Sequence, residues 1–209
     1  MEREVRDKNG LTLDEYLAGY KAGNYPRPSV TADIMVFSQK EGRWRLLLIR
    51  RGGHPFLGCY ALPGGFAEPG ETVDQSARRE LQEETHVEGL ALAPVGFFSD
   101  PDRDPRGWTM TNAYLTVAPP DLAYRADDDA ADAAWFTVEA REEEGRYRLT
   151  LTDEADSSCV LSALLAVKIC PTVLGEVRDI RIVESDGIAF DHAKIILEGF
   201  LRLTRDKVR

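Results

Sequence analysis

The chain has 209 residues, 43% of them hydrophobic, with 26 basic against 36 acidic side chains and a net charge of −10. That length buries one full-sized core or two small ones, and the acidic balance argues against the nonspecific hold on DNA or anionic membrane that a basic surface gives. No run of eighteen apolar residues occurs and MEREVRDKNGLTLDEYL contains no apolar signal core, so a cytoplasmic protein without membrane association is expected.

In chain order, Thr12 to Ala22 reads as a short leading helix, and Pro26-Arg27-Pro28 marks a boundary before the first strand. Strand-like segments follow at Thr31 to Phe37 and Arg43 to Arg50. Leu62-Pro63-Gly64-Gly65 then makes a tight bend in which a backbone carbonyl can approach an ion with no side chain in the way. Thr72 and Gln75 stand in the capping-box relation, which predicts a helix with Thr72 as N-cap running to about Thr85. Val73, Ala77 and Leu81 form its apolar row, and Glu80 and Glu84 form the adjacent row, within about 60° of the buried stripe. Unpaired carboxylates do not sit there for stability alone. Glu80, Glu83 and Glu84 within two turns call for a hard divalent cation to collect their oxygens, while Arg79, one turn before Glu83, can neutralise and orient that residue.

Beyond the helix, Pro94 to Phe98, Thr109 to Val117 and Ala134 to Val138 are strand-like. The acidic run Asp127 to Asp132 reads either as a solubilising turn or as the source of a catalytic base or extra metal ligand. Tyr147 to Leu151 reads as a strand, whereas residues 158–169 pass as strand or as helix. Asp179 to Val183 is strand-like, and Asp191 is placed as N-cap of a final amphipathic helix, Ala193 to Thr204, with a structural role for His192 beside it. Cys59, Cys159 and Cys170 show no CxxC spacing and read as reduced packing residues. The economical organisation is one domain: a core at about 27–138, a β insertion, read as a hairpin, over 139–188, and a C-terminal helix over 189–209.

The spacing Gly65, five residues, Glu71, seven residues, Arg79-Glu80-Leu81, one residue, Glu83-Glu84 resembles the Nudix box. The resemblance extends through Arg27-Pro28-Ser29-Val30, Leu46 to Arg51, His54-Pro55-Phe56, Tyr60 to Pro63 and Arg103 to Gly107, and returns at Ala189-Phe190-Asp191-His192-Ala193. It is similar to the branch holding ADP-ribose hydrolases and their regulator relatives. The resemblance implies an α/β fold, the α/β/α sandwich with a mixed sheet. It also implies a hydrolase that cleaves a nucleoside diphosphate linked to a moiety X, using Mg2+ or Mn2+. Glu80, Glu84 and the Gly64 carbonyl are then the metal ligands, with Glu83 a further ligand or an orienting carboxylate, and Glu71, Arg79, Glu83 and Glu84 form the catalytic set, in which Arg79 and Glu71 are the supporting pair. One position departs from the pattern: His86 stands where the family usually has Gly, which implies a strained left-handed helix end or a different termination.

The guanidinium fork suits phosphate oxygens, so Arg103 and Arg106 are candidate substrate contacts, with pairing to Asp102 and Asp104 the competing reading. Arg51 joins them as a substrate-binding candidate. ADP-ribose is the leading substrate, a nucleoside triphosphate the runner-up, and a homodimer the family default. A non-catalytic sensor with a DNA-binding tail is the rival from another class. Residues 139–209 carry 11 Lys and Arg against 14 Asp and Glu, without the excess of basic charge that a nucleic-acid-reading module normally shows. No nucleic-acid partner is therefore expected.

Overall fold

A computed structural model describes residues 5–21, 23, 26–124, 130–173 and 175–205. Helix α1 (Leu13–Gly19) opens on a capping box between Thr12 and Glu15 and buries none of its residues; it ends before the expected Ala22, which lies outside the described residues. Strands β1 (Ser29–Lys40) and β2 (Arg43–Arg51) form an antiparallel hairpin closed by Lys40 opposite Arg43. Its turn is Glu41-Gly42, with φ of 51° and 77°, the pair of positive values that a two-residue type I′ hairpin requires. Short strands β3 (Tyr60–Ala61) and β4 (Gly64–Phe66) flank the glycine bend, pairing with β2 and β1 respectively. Helix α2 (Val73–Thr85) precedes β5 (Ala93–Phe98) and β6 (Thr109–Ala118), and β6 runs parallel to β1.

The last strands are β7 (Ala130–Glu143), β8 (Arg146–Asp153), β9 (Val160–Thr172) and β10 (Gly175–Asp186), followed by α3 (His192–Arg205). The sheet order is β10-β9-β8-β7-β2-β1-β6-β5. Period-two alternation sorts the strands' side chains onto two faces. Ala32, Ile34 and Val36 of β1 join Leu47 and Ile49 of β2 under Ala77 and Leu81 of α2. Met35 and Phe37, with Leu46 and Leu48, point the other way and pack against Ile195, Ile196 and Phe200 of α3. The two helices thus cover opposite faces of a mixed sheet, as an α/β/α sandwich requires.

The C-terminal third differs from the expected hairpin. Glu139 to Glu143 simply continue β7, and β8, β9 and β10 add three strands in an antiparallel meander. A second Glu-Gly turn, Glu144-Gly145, joins β7 to β8 at φ of 50° and 78°. Residues 160–169 are strand, with Leu161, Ala163 and Leu165 buried in alternation on the α3 face. Cross-strand pairing with β8 and β10 overrides a helix pattern that the segment alone would permit. Of the acidic run, residues 127–129 lie outside the described residues, while Asp132 sits on β7 opposite Arg50.

Candidate active site

The box helix begins as its sequence dictates. Thr72 accepts from the Gln75 amide and the Gln75 side chain accepts from the Thr72 amide. Ala77 and Leu81 are buried against the sheet, so Glu80 and Glu84 come to the flank of that contact, at the wall of a cleft of about 330 Å3. At the other end His86 is the C-cap, at φ 56° and ψ 21°. The left-handed conformation favoured by Gly is kept with a side chain in place, at a cost of roughly 1 kcal/mol.

Arg79 is the hub beside the cleft. Its guanidinium donates to Glu71 at 2.7 Å, to Glu80 at 2.7 Å, to Glu83 at 3.0 Å and to the Phe66 carbonyl at 3.0 Å. The hydrogen bond from Arg79 holds the Glu71 carboxyl down at about 2. Glu83, expected as a further metal ligand or an orienting carboxylate, is 58% exposed, turned to Arg79 and not part of the cleft wall. Glu80 shares the same guanidinium.

The glycine bend forms the cleft floor, and two contacts explain its composition. Gly64 has φ of 151°, and a Cβ there would stand 2.0 Å from the Ala32 carbonyl oxygen. A Cβ on Gly65 would stand 2.5 Å from the Glu80 carboxylate. The Gly64 amide donates to Glu84 Oε2 at 2.7 Å. Burial pushes the Glu84 carboxyl up to about 8, with Glu80 and Asp33 adding to the effect, and burial also raises Glu80 despite Arg79. Among the described residues no three His, Cys, Asp or Glu side chains are gathered into one metal-holding cluster. The donors at the bend are instead the carboxylates of Glu80 and Glu84. These are hard oxygens suited to Mg2+ or Mn2+, in a cradle that a side chain at position 65 would fill.

Across the cleft the charge is reversed. Arg51 lies over the Phe190 ring at 4.9 Å, and Arg106 lies over Phe66 at 4.9 Å and Phe190 at 5.5 Å. Arg106 is also paired with Asp104 at 2.7 Å. Burial and the neighbouring Arg106 together lower Arg51 from its usual value, as expected of two guanidiniums that share one cleft.

Arg103 lines the cleft with two of its nitrogens engaged: Nε and Nη2 donate to Asp191 at 3.1 and 2.8 Å, and Nη2 also to Asp33 at 3.2 Å, with all three side chains buried. These ion pairs tie β1 to the start of α3. Asp191 directly precedes α3, the N-cap position expected of it, and its carbonyl accepts from the Lys194 amide at 2.9 Å and the Ile195 amide at 3.4 Å, while its carboxylate is held by Arg103.

The fold therefore brings Gly64, Glu80, Glu84, Arg51, Arg103 and Arg106 to one cleft, and leaves Glu71, Arg79 and Glu83 behind its acidic wall. Sequence reasoning missed Asp33 and the roles of Phe66 and Phe190. Asp33 did carry a signal, as a lone carboxylate inside the apolar run Ala32 to Phe37. The two phenylalanines carried none, because only the folded bend and the chain before α3 bring their rings to Arg106.

The profile of the NUDIX domain matches residues 27–152, and the chain belongs to this family. It is 42% identical over 115 residues to the ADP-ribose pyrophosphatase of Methanocaldococcus jannaschii, covering 54% of this chain and 64% of that protein. It is 32% identical over 126 residues to the ADPR responsive transcriptional repressor NtrR of Acinetobacter baylyi, covering 59% of this chain and 50% of the repressor. The match thus spans between half and two thirds of these relatives' length. Among solved structures, the NUDIX domain of Shewanella oneidensis NrtR complexed with ADP ribose aligns over 93% of this chain and 100% of its own, with a TM-score of 0.66 and 25% identity.

Proposed function

We propose that the protein is a metal-dependent hydrolase of a nucleoside diphosphate linked to a further group, with ADP-ribose the leading substrate. One observation carries the reading: the cleft sets two neighbouring carboxylates, Glu80 and Glu84, opposite two neighbouring guanidiniums, Arg51 and Arg106, so that like charges crowd on each wall. A divalent ion with a diphosphate relieves both at once. Glu80, Glu84 and the Gly64 carbonyl would hold Mg2+ or Mn2+. When bound, the ion supplies Lewis acidity and neutralises charge on the diphosphate oxygens.

The remaining work falls to the chain. Arg51 would present its N–H donors to the phosphates, and Arg106, whose Nε and Nη2 are paired with Asp104, would add positive charge beside it; both are braced by the Phe190 and Phe66 rings, so little rotamer freedom is left to lose on binding. Arg79, with Glu71, fixes the Glu80 rotamer, and the Gly64 amide fixes that of Glu84. Water attacks one phosphorus and the anhydride oxygen leaves on the other phosphate, so ADP-ribose yields AMP and ribose 5-phosphate. The kinship with an ADP-ribose pyrophosphatase supports this substrate.

The likeness to an ADP-ribose-responsive repressor supports a second reading, in which the same cleft binds ADP-ribose without cleaving it. A panel of ADP-ribose, NADH, dinucleoside polyphosphates and nucleoside triphosphates, each with and without Mg2+ or Mn2+, separates the two. AMP released from ADP-ribose only with metal supports the hydrolase. Preference for a triphosphate keeps the chemistry and replaces the substrate. Binding of ADP-ribose with no turnover of any compound overturns the enzyme in favour of the sensor. A cytoplasmic location and a homodimer complete the proposal.

A further inference from the structure

The glycine bend is held at three successive residues by three different elements. The Gly64 amide donates to Glu84 of α2, and the Pro63 carbonyl accepts from Ile34 of β1 at 2.8 Å. The Leu62 amide donates to Nδ1 of His192, at the start of α3, at 2.9 Å. The third contact crosses 130 positions of sequence and is made by a side chain.

The ladder beside it explains why a side chain is needed. The segment before α3 runs parallel to β3: the Tyr60 amide donates to Gly187 O and the Ala189 amide to Tyr60 O, both at 2.8 Å. The next rung of a parallel ladder would pair the Leu62 amide with the Ala189 carbonyl. That carbonyl instead accepts from the His192 amide at 3.2 Å, because the chain turns at Phe190, which has φ of 53°. The buried Leu62 amide would be orphaned, and the imidazole takes the place of the missing rung. A ring accepting at Nδ1 carries its proton on Nε2, which faces Asp33 Oδ1 at 3.6 Å, and Asp33 is held in turn by Arg103. Burial lowers His192 from its usual value, which favours the neutral ring that this arrangement needs.

We infer that His192 is a positioning residue for the cleft: by accepting the Leu62 amide proton it fixes the bend that carries the Gly64 carbonyl and seats Glu84. The inference rests on the hydrolase reading only for its effect on turnover. The tether itself is read without substrate.

The test uses the full chain labelled with 15N. In the wild type, the His192 ring shifts should report an unprotonated Nδ1, and the Leu62 amide should be protected from exchange. His192→Asn sets a side-chain oxygen near the position of Nδ1, His192→Gln sets its amide near Nε2, and His192→Phe supplies no acceptor. His192→Asn should keep Leu62 protection, with Mn2+ affinity and kcat on ADP-ribose within about threefold of wild type. His192→Gln and His192→Phe should lose the protection and drop both Mn2+ affinity and kcat by about 10- to 100-fold, the usual range for a group supporting a metal site, while KM changes by less than about threefold. A general packing role would make His192→Asn as poor as His192→Phe, which overturns the inference. So does a proton on Nδ1, or unchanged Mn2+ affinity in His192→Gln. If His192→Phe does not fold, the ring shifts and the Asn–Gln pair still decide. No cleavage of ADP-ribose by a wild type that shows the expected ring shifts and Mn2+ response overturns the hydrolase and supports the tether.

Discussion

Replacing Arg103 by Leu separates a structural guanidinium from a substrate-binding one. Its side chain is 3% exposed, and its partners Asp33 and Asp191 are 8% and 10% exposed. Leucine fills much of the space but leaves two buried carboxylates with no cation between them. Removing one partner of a buried ion pair costs roughly 3–5 kcal/mol, mostly because the survivors stay charged in a poorly solvated site. With a urea slope of about 1–3 kcal/mol/M for a chain of this class, the unfolding midpoint should fall by at least about 1 M. Urea titration followed by tryptophan fluorescence reads it directly. Adding Asp33→Asn and Asp191→Asn to Arg103→Leu removes the stranded charges and should recover about half of the loss or more. A midpoint unchanged by Arg103→Leu, with only the KM for ADP-ribose raised, would refute the buried-tie argument and favour Arg103 as a phosphate contact.

Three further outcomes follow from local geometry. Gly65→Ala drives a methyl into the Glu80 carboxylate, the movable end of a side chain; the fold should survive while Mn2+ affinity by calorimetry falls about tenfold or more. Gly64→Ala meets the Ala32 backbone oxygen, which cannot step aside, so the loss should show as a lower melting temperature and poor soluble yield. Thr72→Ala removes half of the α2 capping box and should cost about 1 kcal/mol in urea titration, with turnover per folded molecule unchanged.

What could be read from the sequence was local. The start of α2 follows from Thr72 and Gln75, and its buried row from Ala77 and Leu81, because capping and 3.6-residue periodicity are written within a dozen residues. Strands β1 and β2 were equally plain. What escaped depends on partners far along the chain. Arg103 sits in a loop rich in Asp, yet its ion pairs are with Asp33 and Asp191, 70 and 88 positions away. Residues 158–169 could not be assigned because their apolar side chains suit either period, and only the neighbouring strands decide. For Arg106 the local pairing with Asp104 was foreseen as a rival to substrate contact. The structure shows that pairing alongside a position on the cleft wall.

The central claim is that Glu84 serves metal-dependent cleavage in this cleft. The most direct measurement is AMP release from ADP-ribose in Mg2+ by wild type and by Glu84→Gln, with ADP-ribose binding measured alongside. The account predicts a fall in turnover of at least about 100-fold in Glu84→Gln, with the fold kept and ADP-ribose still bound through Arg51 and Arg106. Equal turnover in the two proteins would contradict it and leave the acidic wall without a catalytic role.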